Sequence, residues 1–185
     1  MHKIFIIILF IISTITLQVK ANNNNGEGKD RLADNLTAVN VKEVGRAKFS
    51  FLFWDIYNSI LYTKSGHYLP EKPSPYLLFE IEYLKDITAT DLLERTIEQW
   101  QHLSLTETQY AQFIPVLEGI WPDISAGDKL ALLVQNDQST FYFNGVKIGF
   151  IEQKEFSKLF LDIWLSKKTS QPELRDELLR GNSHE

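Results

Sequence analysis

The clearest pattern of hydrophobic and polar positions lies between Gly127 and Leu165. Three short apolar runs are separated first by the polar residues 136–139 and then by Asn144-Gly145, a pair that tolerates positive φ at both centres of a tight hairpin turn. This spacing predicts a meander of three strands. The period then changes from two to about 3.6, which predicts a helix whose apolar face packs on the sheet. That face comprises Phe156, Leu159, Phe160, Ile163 and Trp164.

Two further strand regions precede the meander. Residues 41–63 are rich in aromatic side chains, which predicts one long strand or two joined strands with a bend or bulge at Asp55 or Asn58-Ser59. The apolar positions on one side of this region are Ala47, Phe49, Phe51 and Phe53. After a proline-rich loop, residues 76–83 alternate strictly, which predicts a half-buried strand with Glu80 and Glu82 on a solvated face.

A helix is predicted directly after this strand. Asp91 and Glu94 form a capping-box pattern, so the helix should begin at Thr90 or Asp91 and end near Leu103. Its apolar positions at helical spacing are Leu93, Ile97 and Trp100.

Two prolines shape the remaining helices. Thr106 and Gln109 form a second capping box, and in the helix that follows it Pro115 should cause a kink or an early stop, because proline removes a backbone donor. Pro172 is well placed as the first residue of a short C-terminal helix that Gly181 would end.

The N-terminus has the pattern of an export signal. Lys3 precedes an apolar run from Ile4 to Ile12, and small residues lead to Ala21, which predicts a signal peptide over 1–21 and a periplasmic or secreted protein. The run is too short for a spanning helix, although residues 4–19 together could act as an uncleaved anchor. Residues 22–40 contain four consecutive Asn and few apolar side chains, which predicts a flexible segment ahead of a domain over 41–181.

Composition limits the classes of function. The 185 residues include no cysteine, so no disulfide framework exists, and the 44% hydrophobic content must supply a packed core. The formal net charge is −5, without a basic stripe. Nucleic acids and anionic membrane surfaces are bound through clustered Lys and Arg, so neither is an expected partner, and no stable membrane insertion is expected after signal cleavage. The oligomeric state stays open.

The sequence contains no recognisable catalytic or metal-binding constellation. His67, His102 and His184 have no zinc-ligand spacing, and a Gly-x-Ser-x-Gly elbow is missing. Glu80 and Glu82 resemble an acid-base couple only formally, because alternation places them on the solvent side of their strand. We therefore predict no catalytic residue, no metal ligand and no cofactor.

Arg46 is the most informative charged residue of the aromatic strand region. An unpaired buried guanidinium is costly, so its head either reaches solvent or meets an anion, and a carboxylate suits its bidentate geometry. Three tyrosines also allow two interpretations: each is either a core residue whose hydroxyl is hydrogen-bonded or a residue that binds a ligand. They are Tyr57, Tyr62 and Tyr83. Both interpretations stand at this point: a solvated arginine beside a filled core, or a cation at the mouth of a cleft.

Several short segments are specific when their order and spacing are taken together. They are Asp55-Ile56-Tyr57, Leu61-Tyr62, Tyr83, Trp100, Gly127-Asp128, residues 141–145 and residues 160–165. This order resembles the chalcone isomerase-like proteins, with the exported bacterial branch as the most similar, and the similarity extends from about Val41 to Gly181. It implies an α+β chalcone isomerase-like fold, in which a large antiparallel sheet is covered on one face by a layer of helices and a cleft lies between the layers.

The resemblance implies two kinds of activity. Plant enzymes of the family close a chalcone into a flavanone with a strand arginine, tyrosine and threonine hydroxyls and an asparagine on the first helix. We match Trp100 to the tryptophan that ends that helix in the plant enzymes. Their tyrosine then corresponds to a position near Thr88 and their asparagine to Arg95, so this chain has neither residue type at the matched position. Non-catalytic members of the superfamily bind fatty acids in the same cleft through an arginine and a tyrosine. We match Arg46, Tyr57 and Tyr83 to that role.

The sequence thus predicts an exported, non-catalytic domain that binds a small amphipathic ligand such as a fatty acid. An intramolecular lyase or isomerase on a phenolic substrate is one alternative. A cell-envelope module that binds another protein is a second, and exposure of Trp121 or Trp164 in an apolar patch would favour it.

Overall fold

The computed structural model describes residues 31–37, 40–71 and 74–180. Its centre is a six-stranded antiparallel sheet whose strands follow one another in chain order. The strands are β1 (Lys42–Phe51), β2 (Trp54–Thr63), β3 (Tyr76–Tyr83), β4 (Lys129–Gln135), β5 (Gln138–Phe143) and β6 (Val146–Ile151). The helices are α1 (Leu32–Thr37), α2 (Ala89–His102), α3 (Glu107–Tyr110), α4 (Ile114–Ile120), α5 (Lys154–Leu165) and α6 (Pro172–Leu178).

The main core lies between one face of the sheet and the helices α2 to α6. Inward side chains of the strands alternate with outward ones, and the helices place their apolar stripes on the inward set. Trp100, which is fully buried, donates its indole N–H to the Leu159 carbonyl at 3.0 Å and so joins α2 to α5. The predicted α+β architecture is confirmed. The described helices include none long and apolar enough to cross a membrane.

The meander predicted from residue 127 onward is confirmed as β4, β5 and β6. Both of its turns have two central residues with positive φ: 51° and 66° at Asn136-Asp137, and 49° and 79° at Asn144-Gly145. Such angles suit the right-handed twist of the paired strands, and Asn, Asp and Gly tolerate them best. The predicted helix that follows is α5, in which Phe156, Phe160 and Ile163 are buried.

The strand region 41–63 is a β-hairpin, which confirms the two joined strands, but the position where the chain reverses was not predicted. The chain reverses at Leu52-Phe53, where Phe51 pairs with Trp54. The predicted bulge lies beside Asp55, where the register shifts between the pairs Phe49–Tyr57 and Ser50–Asp55. The Asp55 carboxylate accepts hydrogen bonds from Ser50 Oγ at 2.6 Å and Lys48 Nζ at 3.0 Å on the partner strand. The side chains of Phe51 and Phe53, predicted to share an apolar side with Ala47, are exposed at the turn.

The first capping box also lies elsewhere than predicted. Thr88 is the N-cap of α2, and its hydroxyl accepts a hydrogen bond from the Asp91 amide at 3.1 Å. The second box is confirmed, since the Gln109 side chain accepts from the Thr106 amide at 2.8 Å. The early stop expected at Pro115 is observed too. A 3-10 turn over 111–113 separates α3 from α4, and Pro115 lies in the first turn of α4, where its missing amide costs no helical bond.

The opposite face of the sheet is partly covered by α1, which lies inside the segment predicted to be flexible. Leu32 is buried, and its amide donates to the Gly145 carbonyl at 2.9 Å. Beneath it lies a second apolar cluster that contains Leu32, Tyr76, Leu78, Ala131, Leu133 and Tyr142. Glu80 and Glu82 on this face are only partly buried, as alternation predicts. The predicted leader 1–21, residues 22–30 and Gly181 lie outside the described residues.

The C-terminal helix α6 begins at Pro172, as predicted, and packs against β1. Gly45 of β1 permits this contact. A Cβ atom at Gly45 would lie only 2.4 Å from the Glu177 carbonyl oxygen and 2.5 Å from that of Leu178. Because both are backbone atoms, a side chain at this position would push the helix away from the sheet.

Candidate ligand-binding cavity

A cavity of about 690 Å³ lies between the sheet and the helices. Its floor is formed by the ends of β1, β2, β3 and β4, and its walls by α2, α5, Trp121 and the loop that precedes α6. Most of the surface that lines it is apolar. A concave, mainly apolar space of this size with a few polar groups is typical of small-molecule sites.

Aromatic side chains build the inner wall. The Tyr57 ring lies 5.2 Å from the Phe49 ring and 6.0 Å from the Tyr83 ring, measured between centroids. Trp164 of α5 donates its indole N–H to the Tyr57 hydroxyl oxygen at 2.9 Å. This bond joins the helix layer to the sheet and fixes the tyrosine, so the wall is rigid before any ligand enters.

The two tyrosine hydroxyls of this wall are uncharged donors. Burial raises the pKa of Tyr57 to about 12, although the Trp164 bond opposes the shift. Burial, with the neighbouring Tyr57, also raises the pKa of Tyr83. Neither hydroxyl proton has an acceptor within the part of the chain that the structure describes. Both protons therefore remain available to an oxygen atom inside the cavity.

Trp121 adds a buried aromatic ring to the wall. Its side chain lines the cavity at the end of α4 and is only 5% exposed, with its ring against Phe141 and Phe160. Among the described residues its buried indole nitrogen has no hydrogen-bond partner. Buried polar groups are nearly always paired, and an orphaned donor costs about 1–3 kcal/mol. This nitrogen has almost no accessible surface, so it does not face the cavity, and a ligand there would not remove the cost.

Charged side chains are confined to the mouth. Lys85 and Asp86 lie after β3, and Asp91, Arg95 and Glu98 lie on α2; all five are exposed. Arg95 bonds Glu98 at 2.7 Å, but its side chain is 76% exposed. Such surface pairs contribute little free energy, so the guanidinium can exchange partners at small cost. The mouth thus carries two cations beside three carboxylates, whereas the interior carries neutral groups.

Residues 44–180 match the family model described as chalcone isomerase-like. The chain belongs to the chalcone isomerase-like family. A protein of Haemophilus influenzae described only as uncharacterized is 23% identical over 136 residues, and the match covers 74% of this chain and 66% of that relative. The chain therefore spans slightly less than two thirds of its length.

The fold of this family is also that of a solved structure. The crystal structure of the Arabidopsis thaliana fatty-acid binding protein AtFAP1 superposes with a TM-score of 0.59 and 10% sequence identity. The match covers 77% of this chain and 88% of the plant protein. At this identity the likeness shows a shared fold, which the chalcone isomerase-like assignment predicts.

The structure brings together two of the three residues that the family resemblance selected. Tyr57 and Tyr83 face each other in the cavity, but Arg46 does not line it. Its side chain is 68% exposed and makes an ion pair with Glu43 at 2.6 Å, which raises the pKa of Arg46 and lowers that of Glu43. The solvated alternative for this arginine is therefore the one observed.

Arg95 and Trp121 are cavity residues that the sequence interpretation did not select for binding. Leu92, Arg95, Thr96 and Gln99 all line the cavity at helical spacing, so α2 presents a mixed apolar and polar stripe to it. Such a stripe is a usable signal for a helix that borders a cleft. Trp121 gave a weaker signal, a large aromatic residue in a turn-rich segment. Trp121 is buried and Trp164 is partly buried, so neither forms the exposed patch that would favour a protein-binding module.

The other residues that the sequence suggested for catalysis do not line the cavity. Glu80 and Glu82 project from the other face of β3, and neither lines it. Thr88, the position matched to the tyrosine of the plant enzymes, is occupied as the cap of α2. Within the described ranges no three His, Cys, Asp or Glu side chains group as a metal site.

Proposed function

We propose that this protein binds a small amphipathic acid with an apolar tail, such as a fatty acid, and releases it unchanged. The observation that carries the proposal is the 690 Å³ cavity, apolar in its depth and charged only at its mouth. The family and the fatty-acid binding neighbour of the same fold support it. We further propose that residues 1–21 direct export, so that the protein acts in the periplasm or outside the cell.

The carboxylate of such a ligand would lie at the mouth, near Lys85 and Arg95. An ionised carboxylate placed among neutral aromatic groups loses its hydration, whereas at the mouth it keeps water and gains a guanidinium partner. The tail would extend over Phe49, Leu130 and Phe160. The Tyr83 hydroxyl would then pair with an uncharged oxygen on the tail, which favours hydroxy or oxo acids over saturated ones.

A binding role is favoured over an isomerase role by the residues at the matched positions. The resemblance places a tyrosine and an asparagine of the plant enzymes at Thr88 and Arg95, and the first of these is engaged in capping α2. Cyclisation of a chalcone by the pure protein, above the spontaneous rate, would contradict this part of the proposal.

The test is displacement of a fluorescent fatty acid from the pure protein, combined with a variant that fills the cavity. Leu92→Trp places a large ring from α2 into the space, and Val116→Trp places the same ring on the exposed side of α4. We expect Leu92→Trp to abolish probe binding and Val116→Trp to leave it unchanged. Equal binding by both variants, or none by the wild type, would overturn the proposal.

Head-group placement is tested by comparing an acid with the alcohol of the same chain length. Arg95→Gln should weaken binding of the acid about fivefold, which corresponds to about 1 kcal/mol for an exposed charge pair, and leave the alcohol unaffected. Tyr83→Phe should instead reduce the preference for hydroxy over saturated acids. If Tyr83→Phe weakened every acid and Arg95→Gln weakened none, the carboxylate would lie inside the cavity.

A further inference from the structure

The tip of the β1–β2 hairpin carries four consecutive exposed hydrophobic side chains. Phe51 is 62% exposed, Leu52 77%, Phe53 96% and Trp54 60%. These four residues form an apolar tip. Single exposed apolar residues are ordinary, but soluble proteins rarely leave a contiguous group of large ones in water. The apolar tip therefore has a role that the folded monomer alone does not explain.

The conformation of the turn does not favour these side chains. Leu52 has a φ of 55°, in the left-handed region that glycine and asparagine tolerate and leucine does not. The other two hairpin turns of the sheet, Asn136-Asp137 and Asn144-Gly145, use residues suited to positive φ. The β1–β2 turn thus places a leucine at an unfavourable positive φ, and it also leaves large apolar side chains exposed to water. Strained, exposed positions that persist in a structure are candidates for function.

Charged side chains lie behind the apolar tip. The Lys85 ammonium lies 4.2 Å from the centre of the Trp54 ring, and Lys48 pairs with Asp55 at 3.0 Å one step further from the turn. The ammonium thus lies over the face of the tryptophan ring, as in a cation–π contact. Tryptophan and lysine side chains together are favoured at the boundary between hydrocarbon and water. The apolar residues project, and the lysines remain at a level where they can stay hydrated.

The apolar tip is continuous with the cavity. Phe51 belongs to the tip and also lines the cavity, and Lys85 lies both under Trp54 and at the cavity mouth. Whatever covers the tip therefore covers the entrance as well. A ligand with an apolar tail could pass along Phe51 from a surface at the tip into the space beside Phe49.

We propose that the apolar tip inserts into the interfacial layer of a lipid bilayer and places the cavity mouth at the membrane surface. An amphipathic ligand could then pass between the bilayer and the cavity without crossing water; this transfer step rests on the proposed function, whereas the docking itself does not. A bilayer suits the tip because its apolar side chains project from the turn while Lys48 and Lys85 lie behind them, where both ammonium groups stay hydrated at the interface. Insertion depends on apolar area, so it needs no anionic lipid.

The experiment measures quenching of tryptophan fluorescence by brominated phosphatidylcholine vesicles. Of the four tryptophans, Trp100, Trp121 and Trp164 are buried or partly buried, so Trp54 is the one at the tip. We expect the vesicles to quench the wild-type protein and to leave Trp54→Phe unquenched. The readout is specific to the tip whether or not the N-terminal leader is kept, because residues 1–21 contain no tryptophan.

Matched variants complete the test. Phe53→Ser should lower co-flotation with the vesicles at least tenfold, and Phe150→Ser, at a 46% exposed position on β6, should not change it. Because Phe53 is 96% exposed, the substitution should leave the melting temperature unchanged. Phosphatidylglycerol in the vesicles should not strengthen binding, because the chain is acidic.

Two outcomes would overturn the inference. One is an unquenched Trp54 with intact vesicles. The other is self-association in sedimentation, lost in Phe53→Ser and accompanied by no vesicle binding, which would assign the tip to a protein contact. Leu92→Trp separates this inference from the proposed function, since it should block the fatty-acid probe and still bind vesicles.

Discussion

The β1–β2 and β5–β6 hairpins have connections of equal length in the same sheet, yet their turns differ in chemistry. At β5–β6 the Asn144 side chain accepts from the Lys129 amide at 2.9 Å and donates to the Asp128 carboxylate at 2.9 Å, so the turn is tied to β4. At β1–β2 the central residues are Leu52 and Phe53, which point into water. The β5–β6 turn therefore stabilises the sheet through its side-chain hydrogen bonds. The β1–β2 turn has less favourable turn residues and exposes an apolar surface.

The difference between the hairpins shows how local rules identify function. A sequence that specifies one fold satisfies turn chemistry, burial and pattern together, and departures from these rules concentrate at functional sites. The β5–β6 turn follows the rules of turn chemistry and burial. The β1–β2 turn violates both, and it lies beside the mouth of the cavity.

The largest expected effect contrasts a phenylalanine under the β5–β6 hairpin with one on the apolar tip. Phe141 is fully buried against Trp121, Phe156 and Phe160, so Phe141→Ala should lower the free energy of unfolding by about 3–5 kcal/mol. Phe53→Ala should change it by less than about 0.5 kcal/mol. Urea unfolding measures both. A comparable loss in the two variants would show that the tip is packed, against the exposure described above.

A smaller effect separates hydrogen bonding from backbone conformation in the polar turns. Asn144→Ala removes two side-chain bonds and places alanine at positive φ, so it should destabilise the protein by about 2 kcal/mol. Asn136→Ala is the matched control, with a φ of 51° and no side-chain bond found among the described residues; it should cost about 1 kcal/mol. Equal losses would mean that the bonds to β4 contribute nothing.

The apolar tip should respond in the opposite direction. Leu52→Asn puts a residue that tolerates the left-handed region at a φ of 55°, so it should raise the free energy of unfolding by about 0.5–1 kcal/mol. The same substitution should weaken vesicle binding. A variant that is both more stable and worse at binding would show that the tip is kept at a cost to folding. If Leu52→Asn were destabilising, the strain argument for this turn would be wrong.

The fold could be predicted where local chemistry and global fold agree. Asn144-Gly145, the second capping box and Pro172 each mark a boundary by the conformation they favour, and all three are found in place. The β1–β2 turn was missed because Leu52-Phe53 carries no turn signal. Helix α1 was missed because its burial depends on a sheet face whose buried residues, from Tyr76 to Tyr142, lie far along the chain, and local pattern does not report such contacts.

The site was less predictable than the fold. Periodicity tells which face of a strand or helix points inward, but it does not tell whether the space between two layers is filled. Tyr57 and Tyr83 could be selected as inward aromatic residues, whereas the cavity beside them results from how α2 and α5 sit on the sheet. Arg46 shares the outer side of β1 with Lys48, so alternation alone favoured the solvated placement that the structure shows.

The smallest expected effect is a pH dependence at both hairpins, because each is bonded to one aspartate. The Ser50 hydroxyl and then Lys48 lower the pKa of Asp55, and Asn144 and then the Ser125 amide lower that of Asp128. Carboxyls with depressed pKa values stabilise the fold above about pH 3.9, their unfolded value, and this contribution is lost as the pH falls through the folded pKa.

Carboxyl titration by NMR measures each aspartate separately. Asn144→Ala should return the pKa of Asp128 toward its ordinary value and leave Asp55 unchanged, whereas Ser50→Ala should do the reverse. Both carboxylates are exposed, so the gain in stability is small, but the two shifts are independent reporters of the two turns. If either substitution moved both pKa values, the two hairpins would be coupled through the sheet. The β1–β2 and β5–β6 turns could then not be treated as independent structures with different roles.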